Sequence, residues 1–484
     1  MLTQLKMHVS NQKYTSNSNT IAVDVCIIHV GVVVGATLAA DKLKNTAKEL
    51  VQAWPILGGN ISKTVGFSLS SLCQGCRVTR KQNSPLSCTC GENLDFRTRS
   101  LDQELTSVIK LDRSGSHLGP MVLNGSTDDI DRAFIFETET LWHSNFAVRA
   151  TFLKDATLLN FSMPHSIVDA ASLFDVVSAF CSLLKNDPIH DIQLSPDVRG
   201  VQMSTLVKDS ATREHSNPHA SYEDHQRTWM PSIRNAFKQG VKGLKELLLF
   251  GLGYSKLQER LICIPRQWLD TTRNECMEQL NMHGTSRTPN LQLSVNDIVV
   301  AWLLKVVYGH GLHSEESVDF VSPFNTRNLT ELDGSGAPYL HNSFCMMRCH
   351  FSATDLRQKP VAWIAAKVRS ALLFYRNPPS VRDHWRFLED SVSRPTIFNT
   401  TGQLVGISSW SAFDFTNLDF SGANPDDGNL RPPILFFCPK LMLRLPIVPN
   451  GAFLNWKDGH GNIWIRGLIS TDVTREFDVL GNGA

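Results

Sequence analysis

Apolar and polar positions along this chain fall into two periods that alternate from end to end. Ala22–Val34 is rich in β-branched residues and predicts a strand. Asp41–Val51 sets Leu43, Ala47, Leu50 and Val51 at helical spacing. A Pro-Gly-Gly punctuation over Pro55–Gly59 marks a turn after that helix. Ala147–Met163 carries two short apolar runs split by Lys154–Asp155, the pattern of a hairpin whose second strand is Leu158–Met163. Asp169–Lys185 follows as a helix with Ala170, Phe174, Val177, Phe180 and Cys181 on one face.

The second half repeats the alternation. Pro231–Tyr254 reads as a basic amphipathic helix, and Ser294–Tyr308 as a strong helix with Ser294 or Asn296 available as its N-cap. Strands are predicted at Val318–Ser322, Ser343–His350, Gln403–Trp410 and Ile463–Leu468. Asp187–Trp229 between the halves is polar, irregular and proline-containing, the character of a linker. Residues 64–95 show little periodicity. The pattern predicts an α/β protein with an N-terminal part over 1–186, a crossover linker over 187–230 and a C-terminal part over 231–484.

Composition narrows the class. Of 484 residues, 42% are apolar, enough for sizeable cores and too many for a largely disordered chain. The 47 Lys+Arg against 46 Asp+Glu leave a net charge of +1. Such a chain has no broad field for gathering polyanions, so no nucleic-acid partner is expected. The longest apolar stretch, Val25–Ala40, is interrupted by His29 and Thr37 and is shorter than the ~20 residues a transmembrane helix needs. The polar first twenty residues lack the apolar core of a signal peptide, so the expected location is cytoplasmic. In that compartment the 11 cysteines are expected to be reduced thiols.

Several chemical signatures are absent: a GxSxG elbow, a P-loop, an HExxH helix and a dinucleotide-binding glycine triplet. The central candidate is His165-Ser166-Ile167-Val168-Asp169, a His-x-x-x-Asp pair. With 16 histidines, about one such spacing arises by chance, so context decides its meaning. His165 follows an apolar strand and Pro164, and a helix starts near Asp169. That puts the imidazole on a strand-to-helix loop, where a rigid scaffold can present a general base titrating near neutrality. The same residues also fit a plain helix start, with Asp169 as cap and His165 packed inside.

The wider set of motifs resembles the BAHD acyltransferase superfamily, and within it the fungal trichothecene 3-O-acetyltransferase-like branch. Trp54–Gly59 (WPILGG) looks like the family's early WPxLGG turn, and His165–Asp169 sits where the family has HxxxD. Ser294–Trp302 resembles its S.ND...A helix, Asn325 and Arg327 its N.R strand end, and Tyr339–Asn342 its Y.GN segment. Ser409-Trp410 and Asp419-Phe420 resemble SW and the start of DFGWG. The match spans nearly the whole chain in order. It departs from the family where Ala170 and His341 replace the usual glycines, and where Asp419–Pro425 keeps only the Asp, Phe and Pro of DFGWGKP.

The resemblance implies two chloramphenicol-acetyltransferase-like domains with an active-site tunnel at their interface. It implies an O-acyltransferase, most simply an O-acetyltransferase, taking acetyl-CoA or another acyl-CoA as co-substrate. The acceptor is then a hydroxyl on an apolar terpenoid, polyketide or alkaloid of fungal secondary metabolism. His165 becomes the base, Asp169 a partner of Arg327 that fixes its loop, Trp410 an oxyanion stabiliser and Asp419 a structural support. A monomer that needs no metal is expected. Alternatives of the same fold are an N-acyltransferase or condensation-type enzyme, and a catalytically silent protein that binds small molecules.

Other features fit plain readings. Cys73, Cys76, Cys88 and Cys90 could supply four thiolates to zinc, but the second pair is spaced too tightly, and a loop with free thiols fits better. Arg234, Lys238, Lys242 and Lys245 form a basic face that suits a solvated surface better than a phosphate or membrane site. His215, His219 and His225 read as polar loop residues.

Overall fold

Two β-sheets, each with helices on one face, organise the chain. The computed structural model describes residues 14–15, 26–59, 87–88, 91–109, 119–122, 127–136, 144–192, 203–208, 257–283, 291–309, 316–332, 337–390, 402–425, 434–437, 442–443 and 451–470. The predicted helix at 231–254, the linker histidines, Cys73, Cys76 and Cys90 lie outside these residues.

The first sheet runs in the order Ile434–Phe437, Cys26–Val34, Thr157–Pro164, Ala147–Phe152, Asp95–Ser100, with Met442–Leu443 also paired to Cys26–Val34. Its pairings are antiparallel except that between Asp95–Ser100 and Ala147–Phe152. Ala147–Phe152 and Thr157–Pro164 form the expected hairpin, in register from Ala147↔Ser162 to Phe152↔Thr157. Along Thr157–Pro164 every residue is buried. Leu159, Phe161 and Met163 alternate with Leu158, Asn160 and Ser162, so the two sets face opposite ways. Phe161 meets Phe180 of the helix Ala170–Leu184 edge to face, with ring centroids 5.3 Å apart. That helix packs against Ala40–Ala53 through Leu173, Val176, Val177 and Phe180 on one side and Leu43, Ala47, Leu50 and Val51 on the other. Burying a side chain of this size contributes roughly 1.5–3 kcal/mol, so this layer holds the strand leading to His165 firmly.

The second sheet has seven strands in the order Phe344–Ser352, Ser317–Asn325, Gln403–Ser409, Ala452–Lys457, Ile463–Ser470, Leu257–Ile264, Met121–Val122. Alternation again decides its two faces. Ile262, Ile264, Ile465 and Phe453 pack on the helices Val295–Tyr308, Val361–Tyr375 and Arg266–His283. The intervening Leu261, Cys263, Trp456 and Trp464 join the hydrophobic core of the first sheet. The bare face of the second sheet therefore closes on the first half of the chain. Ser294 caps its helix with a capping box: its hydroxyl accepts from the Asp297 amide at 3.3 Å, and Asp297 accepts from the Ser294 amide at 2.7 Å.

Chain segments cross between the sheets. Met121–Val122 edges the second sheet, while Ile434–Phe437 and Met442–Leu443 flank Cys26–Val34 in the first. A buried ion cluster ties the layers as well. The Arg466 guanidinium donates to Asp131 on the helix Thr127–Phe134 at 2.7 Å and to Glu259 at 2.9 Å.

Gly58 explains part of the WPILGG turn. A β-carbon there would lie 2.2 Å from the Gly91 carbonyl oxygen and 2.6 Å from Val51, so only glycine lets the two backbones touch. Trp54 adds a bond from its indole N–H to the His190 carbonyl at 3.1 Å.

Among the described residues, Cys181, Cys263, Cys276, Cys345 and Cys349 form no disulfide. Among the described residues no helix is long and apolar enough to cross a membrane, and no group of side chains is arranged to hold a metal ion.

Candidate active site

His165 is the first residue after the buried strand Thr157–Pro164. Pro164 starts a tight turn, its carbonyl accepting from the Ile167 and Val168 amides, and the helix begins at Ala170. Ala170 needs no left-handed backbone, since Asn186 is the one non-glycine residue with positive φ among those described. The loop is thus three residues of turn between two buried elements, which is why it can hold an imidazole in one place.

The ring's own bonding sets its chemistry. Nδ1 of His165 lies 2.9 Å from the Val168 carbonyl oxygen. A carbonyl only accepts, so Nδ1 carries the proton and the lone pair is on Nε2. Burial lowers the pKa of His165 from the ordinary 6.5, with the Asp169 charge acting in opposition. The neutral, Nε2-basic tautomer is therefore the form present at neutral pH. Phe344, from the second sheet, sits beside the ring with centroids 6.0 Å apart.

Asp169 faces a different set of partners. As N-cap it accepts from the Ser172 amide at 3.0 Å. Its two oxygens accept from the Arg327 guanidinium at 2.9 Å each, and Oδ2 also accepts from the Ser343 amide at 2.9 Å. Desolvation pushes the carboxyl up, but Arg327 and these amides more than offset it, so the net shift is downward. Arg327 is in turn fixed by the His341 carbonyl at 2.8 Å and the Ser172 hydroxyl at 2.7 Å. The cluster joins the helix start of the first half to the strand ends Ser317–Asn325 and Phe344–Ser352 of the second.

Asn342 is a member that the spacing of His165 and Asp169 did not reveal. Its side-chain amide donates to the His165 carbonyl at 2.8 Å, bracing the loop from the second half. The signal available in the sequence was its place in Tyr339–Asn342. His341, beside it, is buried and its pKa is lowered to about 4 chiefly by desolvation, so it is neutral.

Trp410 and Asp419 stand on other elements. Trp410 follows the strand Gln403–Ser409, its amide donating to the Asn455 carbonyl at 2.7 Å and its ring stacked on Phe415 at 6.4 Å. It lies buried in the core that joins the two halves. Asp419 accepts from the Ser421 amide at 3.0 Å and lies 3.7 Å from Lys185. Lys185 caps the far end of the helix that Asp169 begins. At ~1.5 Å per residue the two ends are roughly 24 Å apart.

Comparison with known proteins gives this geometry a family. No family model matches the chain. The acetyltransferase peniE of Penicillium patulum is 31% identical over 483 residues, 94% of each chain. The TRI101 structure of F. sporotrichioides, complexed with coenzyme A and T-2, superposes with a TM-score of 0.66 at 12% identity, covering 96% of each chain. Vinorine synthase superposes with a TM-score of 0.61 at 12% identity, covering 98% of this chain and 94% of its own. The two-sheet fold and the peniE relationship define an acyltransferase. The chain belongs to the BAHD acyltransferase superfamily, together with the fungal acetyltransferase peniE.

Proposed function

We propose that this enzyme is a coenzyme A-dependent O-acetyltransferase that acylates a hydroxyl of an apolar small molecule in fungal secondary metabolism, with His165 as general base. The single observation that carries this reading is the bond from His165 Nδ1 to the Val168 carbonyl, which leaves Nε2 basic on a loop braced from both halves of the chain.

The chemistry follows from that tautomer. An alcohol is a weak nucleophile at pH 7, and Nε2 takes its proton as the oxygen attacks the thioester carbonyl carbon. The new C–O bond forms a tetrahedral oxyanion, for which the Trp410 indole N–H is our candidate donor. Collapse breaks the C–S bond, and the proton held on Nε2 passes to the leaving coenzyme A sulfur. Products are the ester and free coenzyme A, with His165 returned to its starting form and no acyl-enzyme needed. Asp169 does not relay this proton, because Arg327, Ser172 and Ser343 take its oxygens; it holds the loop.

In this reading the parts 1–186 and 231–484, linked through 187–230, meet around a tunnel that admits acyl-CoA and acceptor from opposite sides. The enzyme works as a cytoplasmic monomer. The names of peniE, an acetyltransferase, and of TRI101 bound to coenzyme A support the donor. The test is mass spectrometry of reactions containing purified enzyme, mixed acyl-CoAs and hydroxylated terpenoids and polyketides. A product heavier by one acetyl group, formed by wild type and not by His165→Ala, is expected. Product formation at the wild-type rate by His165→Ala would overturn the base assignment.

A further inference from the structure

Gly406 is a glycine that the local structure does not require. It lies inside the strand Gln403–Ser409, third in the order of the second sheet. Its pairing is in step with 318–321 on one side and with 452–455 on the other, so it is no bulge. Its φ is not positive, so the backbone makes no demand for glycine. Nor does a neighbour fill its place. Among the described residues, a β-carbon at 406 would meet only Val321 Cγ2, at 3.7 Å. Gly467, on a nearby strand, is the contrast: a β-carbon there would lie 2.2 Å from the Phe453 ring. Glycine weakens a strand interior, and with bulge, bend and packing set aside, the cause left is the approach of another molecule.

The open side of Gly406 belongs to the face that looks toward the first half of the chain. Val405 and Ile407 point into the core on the helix side, so Leu404, Gly406 and Ser408 point the other way. Further across the sheet this face is covered, with Trp456 and Trp464 sealed into the core of the first sheet. Around Gly406 the cover thins: Leu404, Gly406, Ser408, Ala452 and Leu454 are only half-buried. The two halves therefore part over this stretch and leave a largely apolar space. Phe344, whose ring stands beside His165, pairs with Asn325, four residues along from Val321, the partner of Gly406. Trp410 is likewise four residues along from Gly406. The two strands are parallel, so both offsets point the same way. At ~3.3 Å per residue the reacting end lies roughly 13 Å along the face from Gly406.

We propose that Gly406 is a specificity-determining residue for the acceptor, leaving room on the sheet for the body of a rigid, apolar alcohol of several fused rings. This rests on the acyl-transfer reading above. With its hydroxyl at His165, a one-ring alcohol stops short of Gly406, and a skeleton of several fused rings reaches it. The rival occupant is the pantetheine arm of the acyl donor. That arm carries amides that need partners, and beside Gly406 this face offers the Ser408 hydroxyl among carbon side chains. Arg348, across Val321 from Gly406, is held by Asp319 at 2.9 Å and is not turned to a phosphate.

The test measures kcat/KM with acetyl-CoA for wild type, Gly406→Ala and Gly406→Val on cyclohexanol, 2-decalol and 3-androstanol, alcohols of one, two and four rings. Wild type should prefer androstanol. In Gly406→Val the ratio of androstanol to cyclohexanol should fall at least about tenfold, the effect of added methyl groups in an apolar pocket. The KM for acetyl-CoA should stay within about twofold, and Gly406→Ala should melt no lower than wild type. An unchanged ratio overturns the proposal. So does a raised KM for acetyl-CoA, which puts the donor over residue 406, and so does a lower melting temperature in Gly406→Ala, which means that protein fills the space. Androstanol binding, read by native mass spectrometry without acetyl-CoA, separates the two readings. Binding by wild type and not by Gly406→Val, with no ester from any alcohol, sinks acyl transfer alone. Androstanol ester formed equally by both proteins sinks the role of Gly406 alone, and a wild type that neither binds nor acylates androstanol also overturns it.

Discussion

Asp169 and Arg327, 158 residues apart in sequence, are joined by two parallel bonds of 2.9 Å across the junction of the two halves. The His165 loop is thus locked from the second half by a fork-to-fork pair in addition to the Asn342 bond. Separating the halves would tear away both supports of the base.

His165→Ala should lower turnover by about 10²- to 10⁴-fold, the usual worth of general-base help. The half-buried ring contributes little to the core, so the thermal transition of the variant should stay close to that of wild type. A single-turnover assay with acetyl-CoA and acceptor measures the first quantity, and circular dichroism the second.

Asp169→Asn keeps the shape of the pair and removes the charge that Arg327 faces. Breaking a buried pair from one side costs about 3–5 kcal/mol, which denaturant unfolding should register. Turnover should fall as well, since the loop loses its anchor. Arg327→Lys should rescue poorly, because an ammonium cannot bond both carboxylate oxygens in the fork geometry.

The pH profile of kcat/KM should show an acid limb below 6.5. Burial lowers the His165 pKa from that value, so the base is neutral and active at neutrality and is lost as pH falls through the lowered pKa. A limb centred at or above 6.5 would contradict this assignment. The pairing of Asp169 responds at lower pH still: its carboxyl is held below the ordinary 3.8, so its stabilisation persists above 3.8 and disappears as pH drops through the folded-state value.

His29 gives a separate acid signature in stability. Its pKa is 6.5 when unfolded and about 3 when folded, where burial disfavours the charged ring, so folding is favoured fully above 6.5 and progressively less as pH falls toward 3. The slope from this one proton is about 1.4 kcal/mol per pH unit. His29→Gln should flatten that part of the unfolding curve measured between pH 6.5 and 4.

Gly422→Ala should destabilise by about 1–3 kcal/mol, the range for overpacking a filled site. A β-carbon at 422 would lie 2.1 Å from the Leu184 carbonyl oxygen, at the end of the helix that Asp169 caps. Chemical denaturation checks the size of the loss.

Apolar runs carried the sequence reading furthest in elements that are buried nearly all round. The helix predicted over Ser294–Tyr308 forms as Val295–Tyr308 with Ser294 as cap, and the strand predicted over Ile463–Leu468 runs from Ile463 to Ser470. The predicted α/β class is borne out by both sheets and by the structural relatives. Pairing order was not legible, because β-branched runs state that a strand exists and not which neighbour it takes. That is why the placement of Ile434–Phe437 and Met442–Leu443 beside Cys26–Val34 came only with the structure. The segment Tyr339–Asn342 is legible as a motif, but the bracing role of Asn342 is not, because it comes from His165, 177 residues away in sequence. The polar positions in Leu158–Met163 were visible, but alternation alone could not show that they face another sheet instead of solvent.

The pairing of residues 434–443 with Cys26–Val34 also sets a timetable for synthesis. Until the ribosome has delivered Leu443, the strand CIIHVGVVV has one open edge, lined by the backbone groups that its last partners will use. An apolar strand with a bare edge is a template for wrong pairing. The first sheet must therefore wait, incomplete, through most of translation, and a fragment that stops at residue 186 or 230 should aggregate when expressed alone. For anyone wishing to divide this enzyme into separately expressed halves, the cut that respects the sheets must leave residues 434–443 with the N-terminal piece.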